Sequence, residues 1–297
     1  MARIVIAGCG DVGKATGLLL VADGHEVFGI RRRSAAIAPG IEPIAADLCE
    51  PEQLQSLPAA VEVLIYAAAA DGFNDEAYER AYVTGLRNVL SALDVGSLRR
   101  VIFVSSTSVY AQDDGDWVDE HSATVPTGFS GRRLLQAESM LAAKSKAMGC
   151  ASSVVRFGGI YGPGRTRLLE QVRAGASCRE EPVQWTNRIH RDDCAGVLRH
   201  VAMLDEPEAL YLGVDSEPVG RCAVLRWLAR EMGAAEPVRA AQGDDSPRRR
   251  RGGNKRCSNR RLLDSGYQFV YSGYRQGYAA LLSARSDKQT STGKENG

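Results

Sequence analysis

A chain of 297 residues, 44% apolar and 25% charged, can bury a full core and suits one large domain or two smaller ones. Its net charge of +1 gives no global field for nucleic acid or a membrane surface, and no apolar run approaches the roughly 20 residues that span a bilayer. The seven cysteines (9, 49, 150, 178, 194, 222 and 257) are scattered and include no C-x-x-C pair, so neither a disulfide framework nor a zinc site is expected. Most of these thiols should be small buried filler. The first residues run straight into a strand, without room for a signal peptide, and a reducing cytoplasm is the expected setting.

The first predicted element is an apolar strand, Ile4 to Ala7. It breaks into Gly8–Cys9–Gly10–Asp11–Val12–Gly13 and then into a helical pattern through Leu18, Leu19 and Leu20. G-x-G-x-x-G between a strand and a helix predicts a dinucleotide site. Gly8 permits the tight turn, Gly10 lets a pyrophosphate approach the backbone, and Gly13 lets the helix pack close to the strand. Asp11 and Val12 begin a helix whose unpaired N–H groups and positive dipole end face the phosphates.

A second strand, His25 to Ile30, ends in Arg31–Arg32–Arg33–Ser34. NAD-preferring sites carry an acid near this point for the ribose hydroxyls, and none is present here. A carboxylate would repel a 2′-phosphate, whereas a guanidinium grips it with a charge-assisted fork. NADP is therefore the expected cofactor, held by Arg31 and Arg32, with NAD as the alternative.

A short third strand, Pro43 to Ala46, leads to Asp47 and Leu48, and a helix follows from Pro51 towards Leu57. The fourth strand, Val61 to Ala67, ends in small residues; Ala67 and Ala68 would leave room for a cofactor at the carboxyl end of a sheet. Helical spacing runs from Asp75 to Leu93, a fifth strand from Arg100 to Ser105, a polar acidic loop from Gln112 to Pro126, a helix from Arg132 to Met148 and a sixth strand from Ser152 to Phe157. This alternation predicts an α/β fold: a Rossmann-type doubly wound parallel sheet over residues 1–165, with helices on both faces. Residues 166–282 read as a smaller α+β substrate lobe, with 184–206 packing back on the first domain. Its elements are a helix from Arg167 to Ala174, an extended piece from Gln184 to Ile189, a helix from His190 to Leu204, a strand from Tyr211 to Val214 and an amphipathic helix from Arg221 to Met232. Residues 283–297 have no apolar side chain beyond Ala284 and are expected to be disordered.

GCGDVG (8–13), Asp47–Leu48, SSTSVYA (105–111), RFGGIYGPGR (156–165) and IHRDDCAG (189–196) stand in an order and spacing that resemble the extended short-chain dehydrogenase/reductases, the NAD-dependent epimerase/dehydratase family. The resemblance implies an adenine contact at Asp47 and a catalytic serine at Ser106. It also implies a substrate-bordering turn at Ile160–Gly164, and a segment with His190 and Asp192 that orders the C-terminal lobe. There are two departures. Ala7 stands where this subgroup's first glycine falls. More important, aligning the helix through Glu138 puts Ser130 and Leu134 where the family carries its reactive Tyr-x-x-x-Lys pair. The tyrosine is the general acid/base and the lysine lowers its pKa, a relay that serine and leucine cannot run. The chain is therefore similar to atypical members of the family.

Tyr110, Tyr161 and His190 are candidate replacements, each set against a plain packing or capping role. Arg132 or Arg133 could restore the lost charge. The basic stretch Asn254 to Arg261 reads as an anion pocket or a surface loop, and Arg248 to Arg251 as a solvated loop. The leading expectation is an NADP(H)-binding oxidoreductase acting on a small anionic substrate, as a monomer or homodimer. The alternatives are a sugar-type epimerase or dehydratase, and a non-catalytic redox-sensing protein.

Overall fold

The computed structural model describes residues 1–33, 35, 37–240 and 253–292. The chain opens with β1 (Arg3–Ala7), α1 (Asp11–Ala22), β2 (Glu26–Ile30), β3 (Glu42–Ile44) and β4 (Val63–Tyr66). A rod follows, made of α2 (Asp75–Tyr78), a π-helical turn (Glu79–Thr84) and α3 (Gly85–Ala92). Then come β5 (Arg100–Ser106), β6 (Trp117–Val118), α4 (Phe129–Met148), β7 (Ala151–Phe157), β8 (Gly159–Tyr161) and α5 (Arg167–Arg173). The remainder is β9 (Ser177–Cys178), β10 (Trp185–Thr186), β11 (Arg188–His190), α6 (Arg191–Met203), β12 (Leu210–Gly213), β13 (Val219–Gly220), α7 (Arg221–Glu231), β14 (Val238–Arg239), β15 (Arg256–Cys257), α8 (Arg260–Asp264) and α9 (Tyr274–Thr292).

Seven strands form one parallel sheet in the order β12-β7-β5-β4-β1-β2-β3. Strands buried on both faces explain the unbroken apolar runs Val5–Ala7, Val63–Tyr66 and Val101–Phe103. One face is covered by α1 and α6, through Val12, Leu20, Val197, Leu198 and Val201. The other is covered by α3 and α4, through Leu86, Val89, Leu90, Leu134, Ala137 and Leu141. A separate core joins α5, α7 and α9 through Leu169, Val172, Leu225, Leu228, Tyr274 and Tyr278. The strand order reverses between β4 and β1, which opens a crevice at their carboxyl ends.

Three expectations need correcting. The strand predicted in the substrate lobe at Tyr211–Val214 is β12, the edge of the main sheet, paired to β7 from Leu210↔Val154 to Gly213↔Phe157. Cys178 and Cys222 are disulfide-bonded, tying β9 to the first turn of α7; partners 44 residues apart leave no local spacing signal. α9 carries its helix to Thr292, through much of the tail expected to be disordered, while 293–297 lie outside the described residues. Its first turns are anchored by buried Tyr274 and Tyr278, and each further residue of an existing helix gains a hydrogen bond at low cost.

Candidate active site

A cleft of about 730 Å³ occupies the crevice. Gly8, Gly10, Asp11, Val12, Arg31, Arg32, Asp47, Leu48, Ala67, Ala68 and Ser106 all line it. Gly13, the remaining predicted residue, sits behind the loop, where a Cβ would lie 2.6 Å from the Gly8 carbonyl oxygen. Gly8 has φ +86°, and a Cβ there would lie 2.4 Å from the Ala68 backbone. A Cβ on Gly10 meets nothing closer than 4.0 Å, so its face is open to the cleft. Cys9 turns inward, fully buried, and burial pushes its thiol up to about 11. The site is therefore a bare backbone loop leading into a helix N-terminus.

At the end of the cleft lined by Arg31 and Arg32, Asp47 Oδ1 accepts the Cys49 N–H at 2.9 Å, an Asx turn that fixes the loop after β3. Arg32 forks onto Asp71, with Nη1 to Oδ2 at 2.8 Å and Nη2 to Oδ1 at 2.5 Å. That hydrogen-bonded guanidinium holds the Asp71 carboxyl below the usual carboxylate range. The sequence showed no acid beside the arginines, because this one arrives from the loop after β4.

At the other end, Ser106 Oγ accepts the Ser108 N–H at 3.2 Å, which leaves its own O–H to donate. Ser105 Oγ donates to Glu138 Oε1 at 2.6 Å, and Glu138 pairs bidentately with Arg156 beneath the cleft floor. Leu134 lines that floor, while Ser130 does not border the cleft.

The predicted substitutes lie elsewhere. Tyr110 is buried, receives Arg156 Nη1 at 2.8 Å and donates to the Asp119 carbonyl at 2.7 Å; burial pushes its phenol up to about 12. Tyr161 stacks on Tyr278 in the C-terminal lobe. His190 Nδ1 accepts the Asp192 N–H and caps α6, and burial lowers its pKa. Arg132 donates to the Thr127 carbonyl, and Arg133 forks onto Asp75. The basic stretch is likewise engaged away from the cleft. Lys255 Nζ donates to the Tyr110 carbonyl, Arg256 is sandwiched by Trp117 and Trp185, and Arg261 meets the Leu210 carbonyl. Arg248 to Arg251 lie outside the described residues. Asp193, within the IHRDDCAG stretch, ties the C-terminal loop to α6 by accepting the Val270 and Tyr271 N–H groups and the Tyr267 hydroxyl.

Two phenols that the motifs did not mark do border the cleft, Tyr78 and Tyr82. They stand four residues apart on the rod after β4, so its periodicity held the signal. Burial pushes Tyr82 up to about 12. The Tyr78 ring packs edge-on against Phe129 at 5.4 Å, and Phe129 immediately precedes Ser130. Among the described residues, no cluster of three or more His, Cys, Asp or Glu side chains could hold a metal ion, and no helix is long and apolar enough to cross a membrane.

This fold and cleft define a Rossmann-type dinucleotide-binding protein. The sequence profile of the NAD dependent epimerase/dehydratase family matches residues 4–205, and the chain belongs to that family. A Methylobacillus flagellatus protein classed with the NAD-dependent epimerases/dehydratases is 41% identical, covering 96% of this chain and 99% of its own, with a TM-score of 0.80. A short-chain dehydrogenase/reductase superfamily protein from Agrobacterium tumefaciens, solved with bound NAD, shares the fold at 19% identity and a TM-score of 0.80, covering 98% of this chain and 99% of its own. A Stigmatella aurantiaca ketoreductase, acting on 4-hydroxy-2-methyl-3-oxo-4-farnesyl-3,4-dihydroquinoline-1-oxide, is 31% identical over 182 residues, 58% of this chain and 54% of its own.

Proposed function

We propose that this protein is an NADP(H)-preferring reductase of a small carbonyl compound. The observation that carries the reading is the pairing of an intact dinucleotide cleft with a donating Ser106 hydroxyl and an uncharged Leu134 on its floor. A nicotinamide in the cleft would supply the hydride. Ser106 would hydrogen-bond the substrate oxygen, and Tyr78, a phenol in the cleft lining, would give it a proton. Leu134 brings no cation to favour a phenolate. A phenol there serves as an acid, which reduction needs, and not as the base with which epimerisation or dehydration begins. The Stigmatella ketoreductase supports the same direction. An anionic substrate loses its earlier ground, because the contacts of Lys255, Arg256 and Arg261 are made elsewhere.

The NADP preference rests on Arg31 and Arg32 at the adenosine end. Arg32 would exchange Asp71 for the 2′-phosphate. Fluorescence titration should show NADPH binding more tightly than NADH. Replacing both arginines by Ala should weaken NADPH at least about tenfold more than NADH, one charge-assisted contact being worth roughly 1.5–3 kcal/mol. Equal losses would sink the preference. Loss of NADPH absorbance with a panel of ketones and aldehydes tests the reaction. Binding without turnover across that panel would favour the redox-sensing reading.

A further inference from the structure

Asp11, the first residue of α1, holds its carboxylate between two arginines from far along the chain. Arg165 Nε is 2.8 Å from Asp11 Oδ2, and Arg191 Nη1 is 3.1 Å from Asp11 Oδ1. The two guanidiniums differ in what else they reach. Arg165 lines the cleft, with 40% of its side chain exposed. Arg191 is 19% exposed, stands outside the cleft lining, and keeps its Nε on Asp192 Oδ1 at 2.6 Å. Their segments are packed together: a Cβ on Gly162, in the turn closed by the Gly162–Arg165 bridge, would lie 2.8 Å from the Arg191 Cβ.

A carboxylate at a helix N-terminus suits the dipole, but here it stands where a diphosphate would arrive and would repel it. Two cations on one anion solve that problem. One can turn to the ligand while the other keeps the carboxylate neutralised. We infer that Arg165 clamps the diphosphate of the cofactor, and that Arg191 keeps the Asp11 carboxylate paired while it does so. The inference rests on the dinucleotide reading above. The loop amides and the helix end face the phosphates from one side. The Arg165 fork closes on them from the turn after β8, which links the cofactor to the start of the C-terminal lobe.

The test is displacement of bound NADPH by ADP and by adenosine, at fixed salt, on wild type, R165Q, R191Q and R191Q/D11N. R165Q should weaken ADP and NADPH by about 10- to 100-fold, the loss of one charge-assisted contact, and change adenosine less than about twofold. R191Q should weaken ADP, and R191Q/D11N should recover it. An R165Q variant that binds ADP like wild type, or loses adenosine in proportion, overturns the clamp. A double variant no tighter than R191Q overturns the neutralising role. Wild type that binds neither ADP nor NADPH would instead mean that the dinucleotide reading itself is wrong.

Discussion

Tyr78 is the residue on which the proposed chemistry turns. It is half-buried in the cleft wall, against the residue that precedes Ser130. The Tyr78→Phe variant keeps the ring and its contacts with Phe73, Tyr82 and Phe129 and removes only the hydroxyl. A positioned acid is worth about 100- to 10,000-fold. Turnover should therefore fall by at least about 100-fold, with NADPH affinity and melting temperature almost unchanged. Steady-state kinetics on a carbonyl substrate checks this, and an unaltered kcat would move the proton donor elsewhere. The residue shows where sequence reading stops. The place of Ser106 in the cleft was legible because a chain of motifs points to it. Tyr78 was not, because what marks it is a ring contact across 51 residues of chain. Arg32 is the reverse case: its position was legible, but its partner Asp71 comes from the loop beyond another strand.

The strand–loop–helix unit from β1 to α1 was readable in the sequence because each of its glycines answers a local demand. Gly8 and Gly24 separate two such demands. Both have positive φ, +86° and +83°. A Cβ on Gly24 meets nothing within 4 Å, while one on Gly8 would strike the Ala68 backbone at 2.4 Å. Gly24→Ala should therefore cost only the left-handed backbone, about 1–2 kcal/mol. Gly8→Ala must also force β4's exit loop away, so it should be clearly more destabilising in urea titrations and should abolish NADPH binding. Equal costs would mean that the close approach of the two loops is absent in solution. Elements defined by tertiary pairing were less legible. β12 is a short apolar run with no periodicity to say which sheet it joins. The two-residue pairs β6·β15, β9·β14 and β10·β13 exist because distant segments meet. The π turn in the rod keeps a helical apolar pattern and so leaves little trace in the sequence.

Two carboxylates, Asp193 and Asp215, are buried where the C-terminal residues meet the sheet, and one of them makes the stability of the whole molecule depend on pH. Asp193 is satisfied by two backbone N–H groups and the Tyr267 hydroxyl. Asp215 is not: Oδ1 accepts the Glu217 N–H at 3.2 Å, while Oδ2 is buried without a partner. Burial raises its pKa from 3.8 to about 7, against the pull of the Glu217 N–H and of Arg188; Glu217 and Asp193 add to the rise. The folded chain thus keeps a proton that the unfolded chain gives up at ordinary carboxylate pH. The stability associated with this group is present below about pH 4, declines as pH rises and is lost by about pH 7, at a slope of at most about 1.4 kcal/mol per pH unit. Asp215→Asn keeps the shape without the titration. Urea denaturation of both proteins from pH 4.5 to 8.5 should show the variant gaining on wild type up to about pH 7 and running parallel above it. Parallel curves throughout would mean that Asp215 is ionised in the folded protein. In that case its unpartnered oxygen must be reached by water, and the junction between lobe and sheet would be wetter than its packing indicates.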